Sequence, residues 1–412
     1  MSRQSLFRLL SILLATLLGV VIVELSYRLC RFRRLTIQAG IEDPHFHHRL
    51  KPDTDYHFVT SEFDVTIRTN RYGLRGPDPV IPKPAGVTRL LVMGDSFIFG
   101  FPVKDDETFA HLLEQGLRQQ GYPVEVVNGG VSGYAPTLHY VSLRDQFMAF
   151  EPNAAILWLD LGDVQEDAWF QKNLLYDHQG RIVRCDPRYI NGRYDWWEWA
   201  KRNSLLAQYL DRKLVRTVFK MRILGPIGYL KTALRGERAK VAIARLKAAQ
   251  QASDLAQHDR FLLVRETSTA KLIEPYWALT ARYIVMMRDL LAEREVPLIL
   301  GVYPYGMVAG PDQWGKGRTY WGFQAGRTYD ASQALAVFHR FCDGEHIPLI
   351  DSFERFREAA RSDKLFYDWD GHFTPAGQRI LADYVLHDPQ LKSIFEQQLA
   401  ARTGSSASHS KN

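Results

Sequence analysis

A serine near the first quarter of the chain has the type and surroundings of a nucleophile. Ser96 follows an apolar run of strand length, Leu90–Met93, in the tripeptide Gly-Asp-Ser, and a helical pattern begins soon after it. A serine in the turn that leaves a buried strand holds its hydroxyl at the carboxyl edge of a parallel sheet. There, N–H groups of the following helix can face a developing oxyanion. The tripeptide alone is weak evidence, because it often forms only a turn.

Partners for this serine occur near the C-terminus. Asp370 and His372 flank one glycine, and Pro375 then opens a helical pattern. An aspartate held against a histidine fixes its tautomer and stabilises the imidazolium that forms when the histidine takes the serine proton. A lone loop histidine is more often structural, but the upstream Gly-Asp-Ser reverses that judgement. The sequence predicts Ser96 as nucleophile, His372 as general base and Asp370 as the orienting carboxylate.

These blocks together resemble the SGNH, or GDSL, hydrolases. Segment 70–76, Asn-Arg-Tyr-Gly-Leu-Arg-Gly, also resembles a segment that precedes the nucleophile strand in membrane-anchored bacterial members. Segment 128–134, Asn-Gly-Gly-Val-Ser-Gly-Tyr, is similar to the glycine block of that family, in which the N–H of Gly133 would join that of Ser96 in an oxyanion hole. The last block has Asp-x-His spacing, whereas many members have Asp-x-x-His. The resemblance spans roughly residues 67–384, interrupted by a large insertion. It implies serine esterase activity with no metal or organic cofactor.

One block departs from the family pattern. After the run Ala154–Leu159 the family has Gly-x-Asn-Asp, but residues 160–163 are Asp-Leu-Gly-Asp, so Gly162 stands where an asparagine would donate to the oxyanion. Losing one such donor typically costs about 3 kcal/mol of transition-state stabilisation. Three explanations stay open: another group, including the N–H of Gly162 itself, replaces the amide; hydrolysis is slow; or the acyl group goes to an acceptor other than water. Glu166 and Asp167, which follow this block, are interpreted as acids that cap a helix and solvate its face. The role of Asp163 is left open.

Strand-like and helical patterns alternate along the chain. This alternation predicts a three-layer α/β fold with a parallel sheet of about five strands and active loops at the carboxyl edge of the sheet. The family resemblance implies that the sheet is flavodoxin-like. Every motif above lies just after a strand-like run. The runs are Leu90–Met93, Val124–Val127, Ile156–Leu159, Pro297–Val302 and Pro348–Ile350, with helical patterns including Trp277–Ala292 and Ala331–Phe341.

Composition is that of an ordinary globular protein, with 46% apolar and 24% charged residues over 412 positions, which suits one large domain with additions or two domains. The spacing of Cys30, Cys185 and Cys342 gives neither a disulfide framework nor a metal cluster, although the last two can pair in an oxidising compartment. The sequence has no Gly-rich phosphate loop, no His-x-x-x-His zinc pattern and no repeat.

The N-terminus carries a membrane signal. Residues Leu9–Val23 are uncharged and almost wholly apolar, and the run continues past Glu24 through Leu25 and Tyr27. Its length is near the lower limit of the ~17–25 residues that span a bilayer. The run leaves through the basic stretch 28–34 without a small-x-small cleavage site, so residues 1–34 are predicted to be an uncleaved anchor rather than a signal peptide. The positive-inside rule places the body of the protein in the cytoplasm. The family resemblance places it outside the inner membrane, in a periplasmic or extracytoplasmic location, and this orientation is preferred.

A long insertion separates the third and fourth strand-like runs, at about 169–275. Within it, residues 212–247 carry eleven Lys or Arg against one acid, Glu237, interleaved with apolar residues. Contact with anionic lipid headgroups and a solvated helical lid are both retained as explanations. Nucleic acid is a poorer explanation, because no nucleic-acid-binding motif accompanies the charge.

Two aromatic clusters have the residue types that stack on sugars. Residues 194–199 are interpreted as insertion core, since aromatics bring large packing area. The Gly-rich loop 310–317, followed by Tyr320 and Trp321, is predicted to be a mobile loop near the site. The polar tail 401–412 is predicted to be disordered.

The leading functional hypothesis is a membrane-anchored serine esterase that removes an O-acyl group, acetyl above others, from an envelope polysaccharide, glycan or lipid. The first alternative is an O-acyltransferase that acetylates polysaccharide with a membrane-bound O-acyltransferase as partner. The second is a catalytically silent scaffold that kept the fold. The departure at Gly162 favours the two alternatives, whereas the intact Ser96, Asp370 and His372 favour the two enzymes.

Overall fold

The structure is a computed structural model. It describes residues 3–32, 40–191, 193–194, 196–204, 206–207, 209–210, 261–264 and 270–397. The chain forms two compact units. Residues 1–38 and 188–254 make up the smaller unit, and residues 39–187 and 255–412 the larger.

Within the described residues, the strands and helices fall as follows. In chain order the strands are β1 (Gly40–Asp43), β2 (His47–Leu50), β3 (Asp55–Val59), β4 (Asp64–Arg68), β5 (Thr88–Gly94), β6 (Val124–Gly130), β7 (Ala154–Leu159), β8 (Leu174–Tyr176), β9 (Ile182–Cys185), β10 (Tyr189–Ile190), β11 (Arg193–Tyr194), β12 (Leu298–Val302) and β13 (Leu349–Asp351). The α-helices are α1 (Arg3–Phe32), α2 (Ser96–Phe99), α3 (Phe109–Gln119), α4 (Pro136–Asp145), α5 (Asp163–Phe170), α6 (Trp196–Asn203), α7 (Ala270–Ala292), α8 (Gly306–Ala309), α9 (Ser332–Glu345), α10 (Phe353–Ala359) and α11 (Pro375–Leu386).

A five-stranded sheet organises the larger unit, in the order β13-β12-β7-β5-β6 with every pair parallel. Counted along the chain this is the flavodoxin-like order 2-1-3-4-5, so the predicted fold class is confirmed. Pro297 and Pro348 were predicted to begin the last two strands, but they lie one residue before β12 and β13. Their carbonyls accept from the neighbouring strands, but proline has no N–H to donate to a ladder.

The central strands are buried on both faces because helices cover them. Every residue of β5 and β7 is buried, and their apolar side chains join one core with those of the surrounding helices. One helix group pairs α3 with α11, and another packs α7 against α4, α5 and α9. This burial explains why these strands read as continuous apolar runs rather than alternating ones.

Three antiparallel hairpins of the larger unit lie outside the sheet: β1–β2, β3–β4 and β8–β9. The first two precede β5 and were not predicted. Cys185 at the end of β9 and Cys342 on α9 are both buried and both free.

The interpretation of Glu166 and Asp167 as a solvated helix face is wrong. The side chain of Asp167 is fully buried, and its carboxylate accepts hydrogen bonds from Thr137 N at 2.7 Å and Thr280 Oγ1 at 2.6 Å. Glu166 is also buried. The reason is that α5 packs between helices of the larger unit, so its acids face other elements instead of water.

In the smaller unit, α1 contains one segment long and apolar enough to cross a membrane, Arg3–Ser26 with a mean hydropathy of 2.6. A secretory signal sequence has the same features. Glu24, the acid within this segment, accepts hydrogen bonds from Ser204 Oγ at 2.9 Å and Leu206 N at 2.8 Å.

The interpretation of residues 194–199 as buried core is wrong for two of the tryptophans, since Trp196 and Trp199 on α6 are exposed. The basic segment 212–247 and the tail 401–412 lie outside the described residues.

Candidate active site

The nucleophile turn is set by close packing where β5 ends. A Cβ on Gly94 would lie 2.5 Å from Ile98 Cγ1, so only glycine fits. Asp95 then caps α2, accepting from Phe97 N at 2.9 Å. Ser96 is therefore the first residue of α2, at the carboxyl edge of the sheet. Because strand order reverses between β5 and β7, this edge is the topological switch point where open α/β sheets bind ligands.

The loop before α11 brings a carboxylate and an imidazole together. Phe366 and Phe373 form an antiparallel bridge, and Tyr367 N donates to His372 O at 3.0 Å, so the loop closes on itself. Gly371 at its tip has φ +91°, a left-handed conformation that glycine adopts without strain. His372 N donates to Asp370 Oδ1 at 3.2 Å across this turn.

The structure brings the three predicted residues into one hydrogen-bonded row. Ser96 Oγ lies 2.7 Å from His372 Nε2, and His372 Nδ1 lies 2.5 Å from Asp370 Oδ1. Asp368, the other acid of the loop, instead pairs with Lys364 at 2.5 Å. The carboxylate against the imidazole is therefore Asp370.

The surroundings of the row suit a charged intermediate. Burial opposes ionisation of Asp370, but the charge of His372 and the hydrogen bonds it donates outweigh burial, so the pKa of Asp370 is lowered. The imidazole packs against the rings of Phe97, at 4.8 Å between centroids, and Phe101, at 5.2 Å. These rings fix the plane of the imidazole and exclude water from its faces.

Gly133 lies in the loop after β6, and this loop is attached to β5 and to the first hairpin. Val131 N donates to Gly94 O at 2.9 Å, beside the nucleophile turn. His48 of β2 bonds through Nε2 to Ser132 O at 2.8 Å, and Tyr134 donates from its hydroxyl to His48 O at 2.7 Å. Burial lowers the pKa of His48, which favours the neutral ring that donates to this carbonyl.

Gly162 does not offer its backbone donor to an oxyanion. Its N–H donates to the carboxylate of Asp160, which also accepts from Asp163 N at 3.0 Å. The suggestion that the Gly162 N–H replaces the missing asparagine amide is thus corrected: the turn after β7 uses that N–H internally.

Buried carboxylates surround the nucleophile turn from the core side. Asp95 accepts from the Tyr303 hydroxyl at 2.6 Å. Burial and the nearby charge of Asp160 raise the pKa of Asp95. Burial and the charges of Asp160 and Asp95 likewise raise the pKa of Asp163 well above its ordinary value, and Asp163 Oδ1 has no hydrogen-bond partner among the residues that the structure describes. The neutral, protonated forms of Asp95 and Asp163 are therefore favoured.

Glu62, at the turn of the β3–β4 hairpin, holds the loop of Asp370 from outside. Its two carboxylate oxygens accept from Trp369 N at 3.0 and 3.1 Å, and one of them accepts from Asp370 N at 3.0 Å. The ring of the neighbouring Phe63 packs against that of Tyr367, with 5.4 Å between the ring centroids. The sequence carried no signal for this contact, because the partners are 307 and 308 positions apart and no family block includes the hairpin.

Comparison with known proteins finds remote similarity in solved structures alone. No family model and no curated protein match the chain. An acetyl xylan esterase is 11% identical over 72% of this chain and 97% of its own, with a TM-score of 0.36. An acetylxylan esterase from Geobacillus stearothermophilus is 13% identical over 73% and 92%, with a TM-score of 0.34. A protein of the G-D-S-L family from Desulfitobacterium hafniense DCB-2 is 12% identical over 73% and 98%, with a TM-score of 0.33.

Proposed function

We propose that the chain is a membrane-anchored serine esterase of the SGNH type, which hydrolyses O-acyl esters, acetyl esters above others, of an envelope glycan or lipid. One observation carries the proposal: Ser96, His372 and Asp370 form a hydrogen-bonded row at the switch point of a flavodoxin-like sheet. Ser96 Oγ is 2.7 Å from His372 Nε2, and His372 Nδ1 is 2.5 Å from Asp370 Oδ1. The order of the motifs and the strand order agree with that family.

The geometry supports a two-step acyl transfer. Ser96 Oγ attacks the ester carbonyl carbon while its proton moves to His372 Nε2, and Asp370 stabilises the resulting imidazolium. His372 then gives this proton to the leaving alkoxide, and the alcohol departs from the acyl-serine. A water molecule attacks the acyl-serine with His372 again accepting a proton, and the return of that proton to Ser96 Oγ releases the acid.

The oxyanion would be received by backbone N–H groups. Ser96 is the first residue of α2, so its N–H has no acceptor within that helix. Gly133 lies in the loop after β6, which is tied to the end of β5 through the hydrogen bond from Val131 N to Gly94 O, and this position favours its N–H as the second donor. This assignment of two donors leaves out Gly162.

The nucleophile is tested with the full-length protein in detergent micelles. We expect hydrolysis of p-nitrophenyl acetate and labelling by a fluorophosphonate probe, and Ser96→Ala should abolish both, since loss of a triad member costs orders of magnitude. Labelling that persists in Ser96→Ala would place the nucleophile elsewhere. Thermal unfolding of the variant at the wild-type temperature controls for folding.

A transferase is the second candidate, favoured by one observation. With a glycine at position 162 and its N–H engaged by Asp160, the site lacks the side-chain donor of the family pattern. A weaker oxyanion hole slows attack by water, whereas a bound sugar hydroxyl gains from proximity. Mass spectrometry of products formed with and without an oligosaccharide acceptor separates the two: acylated oligosaccharide in place of free acid would support the transferase.

A further inference from the structure

Two exposed aromatic rings lie beside each other at the loop of Asp370 and His372. Trp369 immediately precedes Asp370 and is 48% exposed, and Tyr320 is 77% exposed. The rings of Tyr320 and Trp369 lie 6.2 Å apart between centroids at an angle of 45°. We call these two residues the aromatic platform. Adjacent exposed rings of this size are unusual on a soluble surface unless something binds there.

The segment that leads to Tyr320 is fastened by hydrogen bonds to the loop that carries Trp369. Gly317 N and Lys316 N donate to Asp368 O at 2.7 and 3.0 Å, and Trp314 Nε1 donates to Trp369 O at 3.2 Å. From inside, the fully buried Arg318 donates to Gly310 O at 2.8 Å. The predicted Gly-rich loop is thus near the site, as expected, but these hydrogen bonds hold it in place, whereas a mobile loop was predicted. They keep the platform in a fixed relation to His372.

The platform lies within reach of a substrate bound at the nucleophile. Trp369 is three residues from His372, so their Cα atoms are at most about 11 Å apart, and His372 Nε2 is 2.7 Å from Ser96 Oγ. An oligosaccharide with its ester at Ser96 can extend its neighbouring sugars over a span of that size.

The chemistry around the rings fits sugars better than acyl chains. The electron-rich faces of aromatic rings attract the C–H faces of pyranose rings. Lys316 Nζ lies 5.5 Å from the centre of the Trp369 ring, and the Lys364–Asp368 ion pair lies on the same loop. These charged groups can bond sugar hydroxyls, but covering them with lipid chains would remove them from water at a considerable cost.

From these observations we infer that the aromatic platform binds the glycan chain of an acylated oligosaccharide beside the ester that Ser96 attacks. This inference rests on the proposed function and narrows its substrate class to carbohydrate. The platform would then recognise sugar units next to the acylated one, so substrates with more than one sugar should gain from it.

The test compares substrates that reach the platform with one that does not. Full-length wild type and variants are assayed on partly O-acetylated xylan and glucomannan oligosaccharides and on p-nitrophenyl acetate. The quantity compared is the kcat/KM on oligosaccharide divided by the kcat/KM on p-nitrophenyl acetate. We expect Trp369→Ala to lower this ratio about tenfold and Tyr320→Ala about fivefold, the size of one stacking contact. Trp369→Leu keeps apolar bulk on the loop, and should lower the ratio as well if stacking matters. Tyr176→Ala, which removes an equally exposed ring of β8, is the matched control and should keep the wild-type ratio.

Three results would overturn the inference. One is a ratio unchanged in Trp369→Ala and Tyr320→Ala. Another is that these variants keep the wild-type ratio but lose binding to phosphatidylethanolamine–phosphatidylglycerol vesicles, which would assign the rings to the membrane. A third is dissociation of an oligomer in the variants by light scattering, which would assign them to a second copy of the chain. If wild type hydrolyses no ester, the proposed function fails, and the platform is still tested by calorimetric binding of the same oligosaccharides to Ser96→Ala.

Discussion

The two halves of the candidate site are held in different ways. Ser96 is 7% exposed and sits on a turn fixed by the core: Gly94 packs against Ile98, and Asp95 bonds to the buried Tyr303. The side chains of Asp370 and His372 are each 23% exposed. Their loop is closed by its own short bridge and held from outside by Glu62 on a hairpin that is not part of the sheet.

The two halves should therefore respond differently to a change in their support. The nucleophile turn can be displaced only by a change in the packing of the sheet, so the position of Ser96 and the stability of the protein are coupled. A general base held by a peripheral contact can be displaced while the fold stays intact. Displacement of His372 should therefore lower activity without a loss of stability, whereas displacement of the turn that carries Ser96 should lower both.

The largest effect tests whether both halves act as one unit. His372→Ala should reduce esterase activity as completely as Ser96→Ala, by about 10⁶-fold, because effects within such a unit do not add. Asp370→Asn should cost about 10⁴-fold through the wrong imidazole tautomer. Steady-state rates on p-nitrophenyl acetate measure both. Asp368→Asn is the matched control, since Asp368 pairs with Lys364, and a greater loss there than in Asp370→Asn would reassign the orienting carboxylate.

The next effect tests the peripheral support directly. Glu62→Ala removes the acceptor of Trp369 N and Asp370 N, and a base displaced by about 1 Å costs about 100-fold in rate. We expect kcat on p-nitrophenyl acetate to fall by that factor with KM and the unfolding temperature little changed. Glu62→Gln keeps one carbonyl oxygen and should give an intermediate kcat.

A control for Glu62 lies two residues away on the same hairpin. Asp64 is an exposed carboxylate that pairs with His57, so Asp64→Asn should leave kcat at the wild-type value. A fall in kcat shared equally by the Glu62 and Asp64 variants, or a matching loss of unfolding temperature, would mean that the hairpin supports only the fold.

The same division explains how far the sequence alone could predict the molecule. The five strands, the row Ser96–His372–Asp370 and the loop 310–317 near it follow from apolar runs and from motifs directly after strands, which are local signals. Glu62 could not be predicted, because a single carboxylate that accepts from backbone N–H groups of a distant loop leaves no pattern in either segment. Asp167 was misassigned since an acid on a helix is usually solvated, and only the packing of α5 shows that Thr137 and Thr280 satisfy it.

A smaller effect tests whether an added oxyanion donor beside the nucleophile raises the rate of hydrolysis. Gly162 has φ −90° and ψ −21°, a conformation open to any residue, and its N–H already bonds to Asp160. Gly162→Asn therefore adds a donor without replacing one. We expect kcat for ester hydrolysis to rise about tenfold, short of the ~100-fold of an evolved donor. Gly162→Ala, which adds no donor, is the control. Unaccelerated hydrolysis in Gly162→Asn, together with acylated oligosaccharide formed by wild type, would favour the transferase.

The smallest effect concerns the pH dependence of stability that the buried carboxylate of Asp163 causes. The pKa of Asp163 is raised well above its ordinary value of 3.8, so the folded chain keeps a proton that the unfolded chain loses. The stability from that proton is fully present below about pH 4 and falls as pH rises through the folded pKa. Asp163→Asn is neutral throughout and keeps an oxygen for Asp160 N. Its unfolding temperature should match that of wild type at pH 4 and exceed it by about 4 °C at pH 8, measured by circular dichroism. Asp343→Asn on the exposed side of α9 is the control and should show no such divergence, and a constant difference between the Asp163 variant and wild type across this range would mean that Asp163 is ionised in the folded chain.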